Sequence, residues 1–166
     1  TRVCSYCLLL ARAMGIDDRQ ELAAIAEGAL LHDVGKLFVA EDIVEKNYRV
    51  NSQERELMRA HPAQGFLRLA TRSDIQWGTL MMVYQHHERA DGCGFPVGLE
   101  GMEIHPWARI CAVANTYDSM MRDVSLHDPQ ALKKVDENLS LLSGRALDEE
   151  MTECWLKIFK NDPPQA

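Results

Sequence analysis

Apolar residues recur along this chain at spacings of three and four, and no stretch alternates β-branched with polar residues. The pattern predicts an all-α, compact helical bundle of about seven or eight helices. Val3 to Met14 reads as a first helix, ended by Gly15, which takes a left-handed cap conformation without a Cβ clash. Asp18 with Glu21 predicts a capping box for a second helix, whose Leu22, Ile25, Ala26, Ala29 and Leu30 should face inward. At its end comes His32-Asp33-Val34-Gly35-Lys36, where the glycine lets the chain turn just after the polar pair. A short helix near Glu41 to Lys46 follows. Asn51 with Glu54 then caps a longer helix from about Ser52 to Ala70, which Pro62 should bend beside His61.

Asp74 to His87 makes a further helix, with Ile75, Thr79, Met82 and His86 on one stripe, and it again ends in histidine. The stretch from Glu88 to Gly101 holds Gly92, Gly94, Gly98, Gly101 and Pro96, a composition that favours a structured loop. Pro106 can open the next helix at its first turn, continuing to about Met121. Asp128-Pro129 and Asp148 start two more. The expected organisation is one helical domain over residues 1–160 and a polar tail over 161–166, with no internal repeat.

A length of 166 residues with 46% hydrophobic content suits one domain with a sizeable core. No apolar run approaches the roughly 20 residues that a membrane span needs, and Thr1 to Cys7 lacks the pattern of a secretory signal. The expected setting is therefore cytoplasmic, without a membrane span. Five cysteines at irregular spacing point to free thiols, and the Cys4/Cys7 pair reads as one face of a helix. A formal charge of −7 argues against polymeric nucleic acid as a partner. It leaves room for a small phosphorylated ligand, because a bound metal supplies positive charge locally.

The candidate chemistry lies at helix ends and bends, in His32, Asp33, His61, His86 and His87. A lone histidine on an apolar face is more often a satisfied core residue than a ligand. Adjacent His-Asp and His-His pairs alter that balance, since neutral imidazole nitrogens with a carboxylate suit a divalent transition metal, and a carboxylate can bridge two of them. His105 and His127 have no paired ligand in sequence and read as surface or loop positions. The eight methionines read as core filler, and Trp77, Trp107 and Trp155 as core or interface anchors.

His32-Asp33-Val34-Gly35-Lys36 resembles the HD signature of metal-dependent phosphohydrolases. His61-Pro62 with Gly65 fits a further element of that pattern. His86-His87-Glu88-Arg89-Ala90-Asp91-Gly92-Cys93-Gly94-Phe95-Pro96 resembles the HHExxDGxGYP signature of the HD-GYP family. The order continues through Ala108-Arg109-Ile110 and Ala114-Asn115-Thr116-Tyr117-Asp118. This resemblance implies an HD-type fold and a site of two divalent transition metals, with room for a third, hydrolysing a cyclic dinucleotide, chiefly cyclic di-GMP. Iron or manganese leads among the metals, with nickel or zinc as alternatives. Asp33 would bridge the metals and, with Lys36, carry the catalytic roles. His32 would serve the first metal and His61, His86 and His87 the others, while Asn115 stands where the family has an aspartate ligand. Lys36, Gly94, Phe95, Pro96 and Arg122 would contact the substrate. Arg122 lies in a segment, Met121 to His127, that lacks the family's usual phosphate-binding sequence.

The family's first histidine ligand falls before Thr1, so a longer chain with an upstream sensory or receiver domain is expected. Two readings stay open: a phosphodiesterase with impaired activity, and a degenerate module that binds nucleotide or a signalling partner without catalysis. A mononucleotide phosphohydrolase is disfavoured by the loop around Gly94-Phe95-Pro96.

Overall fold

Glycines, prolines and capping residues cut the chain close to where the hydrophobic pattern expects. The computed structural model of the protein describes residues 2–46, 50–122, 124–125 and 128–161. His127 and most of the predicted tail, residues 162–166, lie outside the described residues. The α-helices among them are α1 (Arg2–Ala13), α2 (Arg19–Leu31), α3 (Glu41–Lys46), α4 (Ser52–Arg59), α5 (His61–Leu69), α6 (Trp77–Gln85), α7 (Pro106–Met120), α8 (Pro129–Ser140) and α9 (Glu149–Asn161). Short 3-10 helices span Val34–Phe38 and Gly101–Glu103, and no strand occurs among the described residues. The fold is all-α.

The helix expected over Ser52 to Ala70 is two helices. Asn51 and Glu54 form the predicted capping box at the start of α4. Pro62 then lacks the N–H that would bond the carbonyl of Met58 four residues back, and the helix breaks rather than bends. His61 Nδ1 donates to that carbonyl instead, at 2.7 Å. The second predicted capping box is only half formed. The Asp18 carboxylate accepts from the N–H groups of Gln20 and Glu21, but Glu21 accepts from Trp107 Nε1 at 3.1 Å, tying α2 to α7.

The inward face of α2 also differs from the expected one. Leu30 is 58% exposed, whereas Ala24 and Gly28 are buried with Leu22, Ile25 and Ala29. The face is rotated toward α6, whose Thr79 donates its hydroxyl to the carbonyl of Ala24 at 3.0 Å. Trp77, expected as an anchor, is exposed at the start of α6, while Trp155 is fully buried.

The main core joins α1, α2, α6, α7, α8 and α9 through Leu10, Ile25, Met82, Ile110, Leu139 and Trp155. A smaller cluster of Leu69, Ile75, Leu80, Met81 and Val83 packs between α5 and α6. Burying this apolar surface is the main source of stability, at roughly 25 cal/mol per Å². Arg109 and Asp148 pair at 2.6 Å, both largely buried, and fasten α7 to the start of α9. Gly35 sits where a Cβ would collide with the carbonyl of His61. Its missing side chain lets the His32-Asp33 turn lie directly on the start of α5. No described helix is long and apolar enough to cross a membrane.

Candidate metal centre

Three histidines are set at helix ends by one repeated device. The last carbonyls of a helix lack intrahelical partners. His32 Nδ1 lies 2.8 Å from the carbonyl of Ala29, His61 Nδ1 2.7 Å from that of Met58, and His86 Nδ1 2.9 Å from that of Val83. Each ring therefore carries its proton on Nδ1, by assignment from these bonds, and turns the lone pair of Nε2 into the interior.

The three Nε2 atoms converge on Asp33. Its Oδ1 is 3.2 Å from His61 Nε2 and 3.7 Å from His86 Nε2, and its Oδ2 is 3.4 Å from His32 Nε2. His61 and His86 face each other through Nε2 at 3.2 Å. Donor atoms of Asp33, His61, His86 and His87 all lie within 4.8 Å of one another. His32 stands just outside this group, on the other oxygen of Asp33.

Burial would raise the Asp33 carboxyl, and a proton turned toward it by His32, His61 or His86, with positive charge at His32, acts the other way and lowers the group far below the ordinary carboxylate range. Burial lowers His86 to about 4, and the neighbouring His32 and His61 add to the effect. Burial, reinforced by His86 and His61, also pulls His87 far below the ordinary imidazole value. At neutral pH His86 and His87 are thus neutral imidazoles beside an ionised carboxylate. Asp33 Oδ1 is buried and has no hydrogen-bond partner. An acceptor walled in by acceptors fits a cation, and imidazole with carboxylate is a donor set for a divalent transition metal.

The loop after His87 is built on Glu88. Its buried carboxylate accepts from the N–H groups of Val97, Gly98 and Leu99 at 2.7 to 3.2 Å. Gly94 packs where a Cβ would strike the backbone of Glu88 and Arg89. The loop thereby brings Phe95 onto His87, with ring centroids 4.7 Å apart and planes 19° apart.

A cavity of about 650 Å³ opens beside Asp33, His61, His86 and His87, a size suited to a small-molecule ligand. Asn115 and Arg122 line it from α7 and the following turn, as do Lys36 and Phe95. Gly94 and Pro96, expected at the wall, do not line it; Gly94 is occupied against the backbone of Glu88 and Arg89. Lys36 places its ammonium on Asp33 Oδ2 at 2.6 Å. The sequence reading missed Arg55 and Arg59 of α4, which also line the cavity. Their spacing of one helical turn, just before His61, was the available signal. It missed the part of Glu88 as well.

A family model described as an HD domain matches residues 1–148. A cyclic di-GMP phosphodiesterase of Thermotoga maritima is 33% identical over 154 residues, covering 91% of this chain and 41% of that protein. A 3'3'-cGAMP-specific phosphodiesterase of Vibrio cholerae is 32% identical over 161 residues, covering 94% and 30% respectively. The chain therefore spans less than half the length of these relatives. Among solved structures, an HDG"Y"P protein from Bdellovibrio bacteriovorus superposes with a TM-score of 0.78 at 21% identity, covering 96% of this chain and 50% of that one. That likeness shows a shared fold.

Proposed function

The chain belongs to the HD domain family, and from that premise we propose that it is a metal-dependent phosphodiesterase domain of the HD-GYP type acting on a cyclic dinucleotide, with cyclic di-GMP as the leading substrate. The observation that carries this reading is the carboxylate of Asp33, buried on one oxygen and ringed by three imidazole nitrogens whose protons are spent elsewhere. The names of the relatives, all read as cyclic dinucleotide phosphodiesterases, support the substrate class.

Asp33 would offer Oδ2 on the side of His32 and Oδ1 on the side of His61 and His86, the arrangement of a bridging ligand. His87 completes the second side, and Asn115 would lend a weaker amide oxygen. Divalent cations held there, iron or manganese foremost, would polarise the phosphoryl oxygens and bring the pKa of a bound water toward neutrality. Lys36 would release Asp33 and direct its ammonium to the phosphate. Phe95, fixed on His87, walls the cavity on that side, and Arg122 lines it after α7.

The presence of Asn115 on the cavity wall favours a second reading, binding of the cyclic dinucleotide with little turnover. One experiment separates the two. Protein loaded with manganese or iron is given cyclic di-GMP, and linear products are followed by chromatography while binding is measured by calorimetry. Metal-dependent product formation that a chelator abolishes supports the enzyme. Binding without product supports the module, and the absence of both binding and product would end both readings.

A further inference from the structure

Resting on the phosphodiesterase reading above, we infer that Arg59 is a specificity-determining residue that holds the phosphate of the cyclic dinucleotide that is not being cleaved. A cyclic dinucleotide carries two phosphodiester groups, and on the reading above divalent metals held by Asp33, His61, His86 and His87 would engage one of them. The other brings a full negative charge into a partly enclosed cavity and calls for a cation from the chain.

Arg59 ends α4 two residues before His61 and lines the cavity. Its guanidinium carbon lies over the Phe95 ring, 4.8 Å from the centroid, and Phe95 in turn stacks on His87. A run of ring contacts therefore fixes this cation relative to the candidate metal donors. A guanidinium held over an aromatic face keeps its fork of N–H donors available at the edge, in the geometry that suits phosphate oxygens.

Competition for this guanidinium is weak. Glu56 approaches Arg59 Nη1 only at 3.7 Å, in a pair whose members are both well exposed, and such pairs contribute little. Glu54 on the same helix is taken by Lys46 at 2.6 Å and by the N–H of Asn51. Of the other lining cations, Lys36 is on Asp33, Arg89 makes two bonds to Asp91, and Arg122, after α7, is also engaged within the chain. Arg55 adds charge one turn further from His61 but, among the described residues, makes no cation–π contact with Phe95 to hold it.

The test compares Arg59→Met and Arg59→Lys with the unaltered protein, all loaded with manganese. The substrates are cyclic di-GMP, cyclic di-AMP and bis(4-nitrophenyl) phosphate, the last carrying a single phosphodiester. With Arg59→Met, kcat/KM for both cyclic dinucleotides should fall about tenfold more than for the single diester, as one charge-assisted contact predicts. The loss should reside in KM, and Arg59→Lys should recover part of it. An equal loss on all three substrates would overturn the inference, because Arg59 would then act through the metal cluster or the fold. A loss confined to cyclic di-GMP would overturn it in favour of contact with a guanine edge. If the unaltered protein cleaves only the single diester, the turnover reading fails by itself, and calorimetric binding of cyclic di-GMP decides the role of Arg59. Weaker binding by Arg59→Met than by the unaltered protein then supports the inference, whereas equal binding, or none by either, overturns it.

Discussion

His61 and His86 meet through their Nε2 atoms at 3.2 Å, while the Nδ1 atom of each is already bonded to a carbonyl three residues earlier. Neither ring has a neutral-state proton to place between them. Two lone pairs at that separation repel, and the ionised Asp33 adds a third acceptor 3.2 Å from His61. Lys36 covers Asp33 Oδ2, but nothing among the described residues covers Oδ1. This side of the group is therefore assembled at a net cost unless a further cation compensates it, which is how metal sites couple ligand geometry to folding.

Replacement of Asp33 by alanine should therefore release more metal than the loss of one ordinary ligand. If this carboxylate bridges, Asp33→Ala lowers manganese content by more than one equivalent from a multinuclear site. Elemental analysis of protein purified and dialysed against manganese checks this. Unchanged metal content in the variant would count decisively against a bridging role.

Much of this cluster could be read from the sequence because its members mark helix ends, where pattern, capping and proline all leave signals. His32-Asp33 falls where α2 stops, His61 where Pro62 breaks the helix, and His86-His87 where α6 runs out. Contacts between distant elements left no such trace. Nothing periodic connects Arg59 with Phe95 or Glu21 with Trp107, and both contacts exist only once the helices are packed. Glu88 escaped for another reason. It binds backbone N–H groups, so no partner side chain in the sequence points to it. The outward turn of Leu30 reflects the rotation of α2 toward α6, a choice among several apolar faces that helical spacing alone leaves open.

Acid should destabilise the metal-free protein in a window set by the histidines. His86 has a folded value of about 4 against an ordinary 6.5, and His87 is shifted the same way. Between those values the unfolded chain binds more protons than the folded one, so stability is complete above 6.5 and falls as pH drops toward 4. Asp33, depressed when folded, contributes in the same direction only below its ordinary value of 3.8. Urea midpoints of metal-free protein should therefore decline from pH 7.5 to pH 5, ahead of carboxylate titration. A midpoint that holds or rises across this interval would mean that the imidazoles are not held neutral.

Restoring a carboxylate at position 115 should strengthen metal binding. Asn115 lines the cavity beside the cluster, and an amide oxygen is a weaker, uncharged donor there. Asn115→Asp should tighten manganese binding by about tenfold, or roughly 1.4 kcal/mol, with any hydrolytic activity rising in parallel. Calorimetric titration of the two proteins with manganese provides the comparison. Equal affinities would show that the side chain at 115 does not reach the metal.

The last expectation concerns Glu88, whose carboxylate holds the loop that sets Phe95 on His87. Oε1 accepts from the N–H groups of Val97 and Gly98, and Oε2 from those of Gly98 and Leu99. Glu88→Gln preserves size and shape but replaces one acceptor oxygen with an NH₂ group, so donors face donors on one side of the loop. Losing charge-assisted bonds at a buried site should cost about 1.5 to 3 kcal/mol. The cost should be local, because the main core around Trp155 and Ile110 lies on other helices. Hydrogen exchange at the amides of Val97, Gly98 and Leu99 should accelerate by at least about tenfold in the variant, while amides in α1 and α7 keep their protection. Since Phe95 reaches His87 through this loop, metal affinity should weaken along with the loop. Unaltered exchange at these three amides would show that the backbone turn holds itself, and that Glu88 is a passenger rather than its support.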